Sequence, residues 1–295
     1  MSQKILQRIN DNSVLFENKL KEYLDITHGD FPGLFEAMRY SVLDGGKRVR
    51  PFLVLEFCRL FGGNRDIALN FGCALEMIHS YSLVHDDLPC MDNDELRRGK
   101  PTTHIKYGYA NALLCGDGLL TYAFEVLSRS CADPAQICDA LSCLSHYAGV
   151  FGMIGGQQID LDSENKQISI EKLKLLHSLK TGALIKCACE LGCISAGIKK
   201  GDKRRDDALE YASEIGVTFQ IIDDILDVTG DAELFGKPIG SDAENGKTTF
   251  LTFMSVDEAY SYASKLTEQA VQTVKKYPDN EILCEFAKYL LDRKK

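Results

Sequence analysis

Apolar residues recur at helical spacing along most of the chain, and no convincing series of alternating strands interrupts them. The spacing predicts helices over 3–26, 33–44, 51–61, 66–88, 107–130, 135–152, 171–197, 204–228, 256–276 and 279–292. Pro51 suits the first turn of its helix, where a missing backbone donor is no loss. Gly45-Gly46 and Gly62-Gly63 mark chain reversals. Two stretches break the pattern, 88–104 and 229–250. The second is long for a connection within a helical domain and carries glycines and two lysines, which reads as a lid. No fixed-period repeat and no low-complexity tract is present. The fold class expected is all-α, a single large helical bundle over residues 1–295.

Composition narrows the function. The formal charge of -9 argues against general nucleic-acid binding, because no basic stripe is available to neutralise a phosphate backbone. Basic residues cluster only locally, at Lys47 to Arg50, Arg97 to Lys100 and Lys199 to Arg205, and the last group reads as a solvated loop. The 11 cysteines form no Cys-x-x-Cys pair, and the closest group (Cys187, Cys189, Cys193) lies in an apolar helical run. Buried thiols in a reducing cytosol are expected rather than a disulfide framework or a zinc site. No signal-peptide core and no membrane-span run is evident, so a soluble, cytoplasmic protein is expected.

The candidate chemistry lies at two acidic helix ends. In "VHDDLPCMDND", Asp86 and Asp87 are followed by Asp92; in "FQIIDDILD", Asp223 and Asp224 are followed by Asp227. Asp223 and Asp227 stand one turn apart on one helix face, in line with Gln220, and Asp86 lies two turns after His79. A single Asp-Asp at a helix end is ordinarily just solvated. Two of them at C-terminal ends, where carboxylate charge opposes the helix dipole, call for a compensating cation. Oxygen-only ligands favour a hard ion such as Mg²⁺, which is typically held by one or two carboxylates plus substrate phosphates.

Basic groups complement the acids. "LDGGKRVRP" sets Lys47 and Arg50 beside glycines that permit close backbone approach, without the spacing of a Walker loop. Arg97 and Arg98 follow the first acidic cluster, and guanidinium groups grip phosphate oxygens in pairs. "LHSLKTG" adds Lys180 and Thr181, and the late loop adds Lys237 and Lys247. Taken singly, each is more often a surface charge than a ligand.

As a set, "GGKRVRP", "HDDLPCMDNDELRRGKPT", "GGQQIDLD", "LHSLKTGALI", "FQIIDDILD" and "GKTT" occur in an order that resembles the trans-prenyl diphosphate synthases. The nearest likeness is the bacterial farnesyl diphosphate synthase type, over roughly residues 35 to 250. The resemblance implies a bundle of the isoprenoid synthase type with a central cavity between long helices, and a homodimer. It implies that Asp86 and Asp92 bind two Mg²⁺ ions and Asp223 a third, with Asp87, Asp224 and Asp227 in support. Arg97, Lys180, Lys237 and Lys247 would hold the allylic diphosphate, with Thr181 and Gln220 against the reacting carbons. Gly46, Lys47, Arg50, His79 and Arg98 would form a metal-free isopentenyl diphosphate site.

The chemistry implied is loss of diphosphate from an allylic substrate, attack by the isopentenyl double bond, and proton transfer to the departing diphosphate. The Lys180 carbonyl, the Thr181 hydroxyl and the Gln220 amide would face the carbocation. Tyr81, with Ser82 beside it, lies a little over one turn before Asp86 and would floor the cavity at the fifteen-carbon product. Plain core packing is the alternative for that ring. A geranylgeranyl diphosphate synthase shares every motif. A terpene cyclase would not need the second diphosphate site, and a silent partner subunit would be free to lose its acidic clusters. Cys90 stays open, and the terminal "DRKK" would either reach the diphosphate site or be solvated, the latter being favoured.

Overall fold

Helix α4 (Arg65–Asp86) is the axis of the molecule. Residues Ile67 to Ile78 are buried on every face, and the helix packs against its neighbours α1 (Gln3–Leu24), α2 (Pro32–Val42) and α3 (Val49–Leu60). It also packs against α6 (Tyr109–Ser128) and α10 (Gly182–Ser195). The structure, a computed structural model, describes residues 3–26, 30–43, 45–229 and 247–293. The remaining helices are α5 (Thr103–Tyr107), α7 (Pro134–Ala148), α8 (Met153–Ser163), α9 (Ile170–Lys180), α11 (Lys203–Thr229), α12 (Val256–Lys275) and α13 (Glu281–Asp292). This is the all-α bundle that the periodicity predicts.

Local chemistry sets the helix starts. The Asn64 side chain accepts from the Asp66 and Ile67 amides ahead of α4, and Asp133 with Gln136 and Ser255 with Glu258 form capping boxes for α7 and α12. Aromatic contacts tie the ends together. The Phe52 ring lies 4.8 Å from Phe286, and the Phe57 ring lies 5.4 Å from Tyr211. A second apolar cluster (Leu173, Ile221, Ile222, Ile225, Phe250, Ala259, Ala263) joins α11 to α12 below the second acidic motif.

Five sequence expectations are corrected. The helix predicted over 171–197 is two helices that break at Thr181. Helix α8 was not predicted, because "MIGGQQIDLDS" opens with a glycine pair and shows no clear apolar stripe. Within 88–104, β1 (Leu96–Arg97) pairs antiparallel with β2 (Lys100–Pro101). The intervening Arg98 (φ 53°) and Gly99 (φ 77°) make the positive-φ loop that such hairpins favour. Segments 65–86 and 134–163 have the length and apolarity of membrane spans. The first is a core helix, 83% buried over its most apolar window, and the second is interrupted between α7 and α8.

The fifth correction concerns Arg205, which is buried rather than solvated. Its Nε donates to Glu190 Oε1 at 2.6 Å, and its Nη atoms donate to both Asp139 oxygens at 2.5 and 3.0 Å, so α11, α10 and α7 share one ionic knot. All described cysteines are free thiols, as expected, although Cys90, Cys131 and Cys138 are exposed rather than buried, and the sulfurs of Cys143 and Cys187 lie 3.9 Å apart. Removing one partner of a buried pair strands the other charge. Arg205→Met should therefore lower the unfolding free energy by about 3 kcal/mol in urea titration, and a loss below a few tenths would mean the knot is not structural.

Candidate active site

Three cavities meet at the break between α9 and α10, and Thr181 lines all of them. The first is apolar, about 430 Å³, and runs between α4, α6 and α8 past Tyr81, Ser82, Leu120, Met153 and Leu161, with Asp86 at its mouth. The second, about 690 Å³, is lined by Lys47, Arg48, Arg50, His79, Arg97, Arg98, Asp223 and Arg293. The third, about 140 Å³, is bounded by Asp160, His177, Lys180, Gln220, Asp224 and Lys247. The first two share Arg50, His79 and Leu83 as a wall, with Asp86 lining the first and Asp223 the second.

The basic cavity is built to hold anions. Arg48 at the start of α3 adopts a left-handed backbone (φ 48°) and buries its guanidinium against Glu76 Oε1 and Val42 O, both at 2.6 Å. That anchor fixes Lys47 and Arg50 on either side of it. Lys47 Nζ lies 5.5 Å from the Tyr289 ring. A side chain at Gly46 (φ 111°) would put its Cβ 2.8 Å from Arg98 Nη1, so the glycine gives the arginine its seat. Burial and the nearby Arg50, Arg98, Arg97 and Arg48 hold the His79 pKa well below its ordinary value. His79 is thus neutral, with Nε2 3.3 Å from Arg50 Nη1, an acceptor for that guanidinium.

The first acidic motif divides its labour. Asp86 ends α4 at the cavity mouth, and its carboxyl is pushed up to about 6 by burial, with Asp92 and Asp87 adding repulsion against the pull of Lys180 and Arg97. The turn folds back so that the Asp92 amide donates to Asp86 O at 2.8 Å, which leaves the Asp92 side chain exposed above Asp86. Asp87, expected as a supporting metal ligand, is buried and accepts from Arg97 Nε at 2.9 Å through each oxygen and from Nη2 at 2.5 Å. Adjacent residues near the end of a helix diverge, so only one of the pair faces the cavity. Asp87 aims Arg97.

The second motif is divided likewise. Asp223 lines the basic cavity and accepts from Arg293 Nη2 at 2.5 Å. Asp224, also expected as a supporting ligand, accepts from the Phe250 amide at 2.8 Å and from Gln220 Nε2 at 3.1 Å. Gln220 is thereby oriented so that its Oε1 accepts from Thr181 Oγ1 at 3.4 Å. Asp227 is buried and lines none of these cavities. Lys237 and most of 229–250, the proposed lid, lie outside the described residues. Among the described residues no three His, Cys, Asp or Glu side chains converge on one point.

Two contributors were missed from sequence. Asp160 holds Lys180 Nζ at 2.5 Å beneath Asp86. A Cβ on Gly156, one turn before Asp160, would lie 2.2 Å from the Lys180 amide, so the glycine lets α8 press on α9 and deliver the carboxylate. The Gly-Gly pair followed by Asp at helical spacing was the available signal. Arg293, read as solvated, is nine-tenths buried and also donates to Phe219 O at 2.8 Å. Nothing local in "DRKK" distinguishes that arginine from a surface charge. Cys90 is exposed and accepts from the Tyr109 hydroxyl at 3.2 Å.

Known proteins resemble this chain in sequence and fold. The Polyprenyl synthetase family model matches residues 32–287. A geranylgeranyl diphosphate synthase of Cyanophora paradoxa is 41% identical, over 98% of this chain and 96% of its own. The farnesyl diphosphate synthase of Escherichia coli is 43% identical, over 88% of this chain and 89% of its own. The structure of an FPP/GFPP synthase from Zymomonas mobilis superposes with a TM-score of 0.87 at 37% identity, covering 99% of this chain and all of that one. An apolar cavity with an acidic mouth, set against a pocket of guanidinium groups, thus accompanies family-wide likeness across nearly the full chain, which belongs to the polyprenyl synthetase family of trans-prenyl diphosphate synthases.

Proposed function

We propose that this protein joins isopentenyl diphosphate to dimethylallyl and geranyl diphosphate, releasing diphosphate and farnesyl diphosphate. The observation that carries the reading is the shared wall of Arg50, His79, Leu83 and Thr181 between an apolar tunnel and a basic pocket. One prenyl chain fits the tunnel with its head at Asp86, and a second diphosphate fits beside it among Lys47, Arg50 and Arg98.

The residues present suit magnesium. The two acidic motifs offer oxygen donors, and the Asp86 carboxyl sits where burial disfavours its charge until a cation arrives. Asp86 and Asp92 from the first motif and Asp223 from the second would hold the ions. The sparse protein ligand set matches an ion that keeps waters and substrate oxygens in its shell. Bound there, magnesium would supply positive charge to stabilise the leaving diphosphate.

The chain's own groups would do the rest. Lys180, steadied by Asp160, and Arg97, aimed by Asp87, hold the allylic diphosphate as negative charge grows on it. Thr181 and Gln220, held in register by Asp224, turn oxygen dipoles towards the electron-poor carbon. The Lys180 carbonyl, at the last position of α9, would add to that field. The neutral His79 keeps Arg50 oriented without adding charge of its own. The departing diphosphate takes the proton, so no dedicated side-chain base is required. Exposed Leu113, Leu114, Val150 and Phe151 support a homodimer, which sedimentation equilibrium would test against a monomer.

Tyr81 supports the fifteen-carbon product, since its ring lines the tunnel just over one turn below Asp86. A twenty-carbon product is the second reading, favoured by the geranylgeranyl diphosphate synthase relative. Tyr81→Ala should lengthen the product by at least one five-carbon unit. Chromatography of the dephosphorylated alcohols reads this directly, and an unchanged length removes Tyr81 as the floor. Asp86→Asn should lower turnover by about a thousandfold or more. It should also raise the melting temperature of the metal-free protein, because a buried charge disappears. Near-normal turnover in saturating magnesium counts against the whole assignment.

The raised Asp86 pKa sets a pH dependence. Proton and cation compete for the carboxylate, so magnesium affinity should weaken as pH falls through about 6. The folded pKa exceeds the unfolded one, so the metal-free protein gains stability as pH drops from above 6 towards 4. Calorimetric titration with magnesium and diphosphate between pH 5 and 8 checks the first effect. A flat profile would mean that Asp86 is not the titrating ligand.

A further inference from the structure

The end of the apolar tunnel is not built by Tyr81 alone. His85 stands one turn above Tyr81 on α4, on the side of Asp86, and lines the same cavity. The edge of its ring meets Tyr81, with centroids 5.8 Å apart and planes at 78°. Behind the imidazole lies the backbone of α6 at Gly116. A Cβ there would fall 2.0 Å from His85 Nε2 and 2.3 Å from Cδ2, so the ring occupies the space of any possible side chain. Nε2 lies 3.1 Å from Leu113 O, and since a carbonyl only accepts, the imidazole N–H donates and pins the ring to α6.

Glycine is a poor helix former, and Gly116 lies inside α6. Its value is the seat it leaves. Resting on that seat, His85 holds the side of the tunnel open and supports the ring of Tyr81, whose hydroxyl is buried without a partner.

We propose that Gly116 and His85 form a wedge that determines product length together with Tyr81; this rests on the prenyl diphosphate synthase reading of the site. Any side chain at position 116 drives the imidazole away from α6 and across the tunnel. The blockage then stands one turn, about 5.4 Å, nearer the reacting carbon than the Tyr81 floor. That rise is close to the reach of one isoprene unit. Gly116→Ala therefore shortens the product by five carbons, the opposite sign from Tyr81→Ala. His85→Ala withdraws the edge support of Tyr81 and lengthens it. In the double variant the new methyl group occupies the space the ring has left, and the wild-type length returns.

The test incubates wild type, Gly116→Ala, His85→Ala and the double variant with magnesium, isopentenyl diphosphate and dimethylallyl diphosphate. Dephosphorylated alcohols are separated by chromatography, and thermal melts are recorded alongside. The expected result is a shift of about tenfold towards the next shorter alcohol for Gly116→Ala, reversed in the double variant. Unchanged product lengths with only a lower melting temperature would reduce Gly116 to a packing residue and overturn the wedge. Should Gly116→Ala not fold, His85→Ala decides alone, and an unchanged length overturns the proposal. Wild-type protein that forms no prenyl alcohol would remove the underlying reading and the wedge with it, whereas Tyr81→Ala lengthening beside an inert Gly116→Ala removes the wedge only.

Discussion

Buried charge of one sign that waits for the other is the constraint around which this structure is organised. Burial raises the free energy of the Asp86 carboxylate, and several guanidinium groups line the neighbouring cavity. Lys180 and Arg97 pull against that burial without cancelling it. The fold answers with anchors. Glu76 holds Arg48, Asp87 holds Arg97 and Asp160 holds Lys180, so each cation is fixed in place by a carboxylate that is itself largely buried. Each acid-base pair near the site spends one partner on positioning the other.

Helix breaks concentrate this order at one point. The interruption at Thr181 lets α9 and α10 present Thr181 to all three cavities and Lys180 to two of them, which an unbroken helix would have turned to successive faces. Asp224 does comparable work from α11. By binding the Phe250 amide and the Gln220 side chain, it ties the second acidic motif to the segment that follows residue 247. Arg293 closes the circle by reaching Asp223 from the end of α13. The site is thus assembled from both ends of the chain and from the middle.

The apolar tunnel obeys a different rule. Its lining is largely apolar, with Tyr81, Leu120, Met153, Ile154 and Leu161 from α4, α6 and α8, and Arg50, Asp86 and Lys180 are the charged groups that reach it. A reactive cation escapes capture by water only in such surroundings. Tunnel length is then a matter of which rings stand where on α4, and of how closely α6 and α8 approach.

Much of this was legible before any coordinates. The 3.6-residue period located the long helices, because each must bury one face, and the acidic ends at Asp86 and Asp223 stood out because they oppose the helix dipole. The motifs from Gly46 to Gln220 were readable in order along the chain. Tertiary structure alone decided what each member touches. Asp86 and Asp87 are chemically identical neighbours, yet one faces the cavity and the other is locked to Arg97; the helix turn and a hairpin ten residues later make that choice. Arg205 and Arg293 look like surface charges in sequence and are buried in ion pairs. Sequence periodicity reports which face of a segment is apolar, because burial acts on each segment separately. Partners depend on distances between segments far apart in the chain, and only packing sets those.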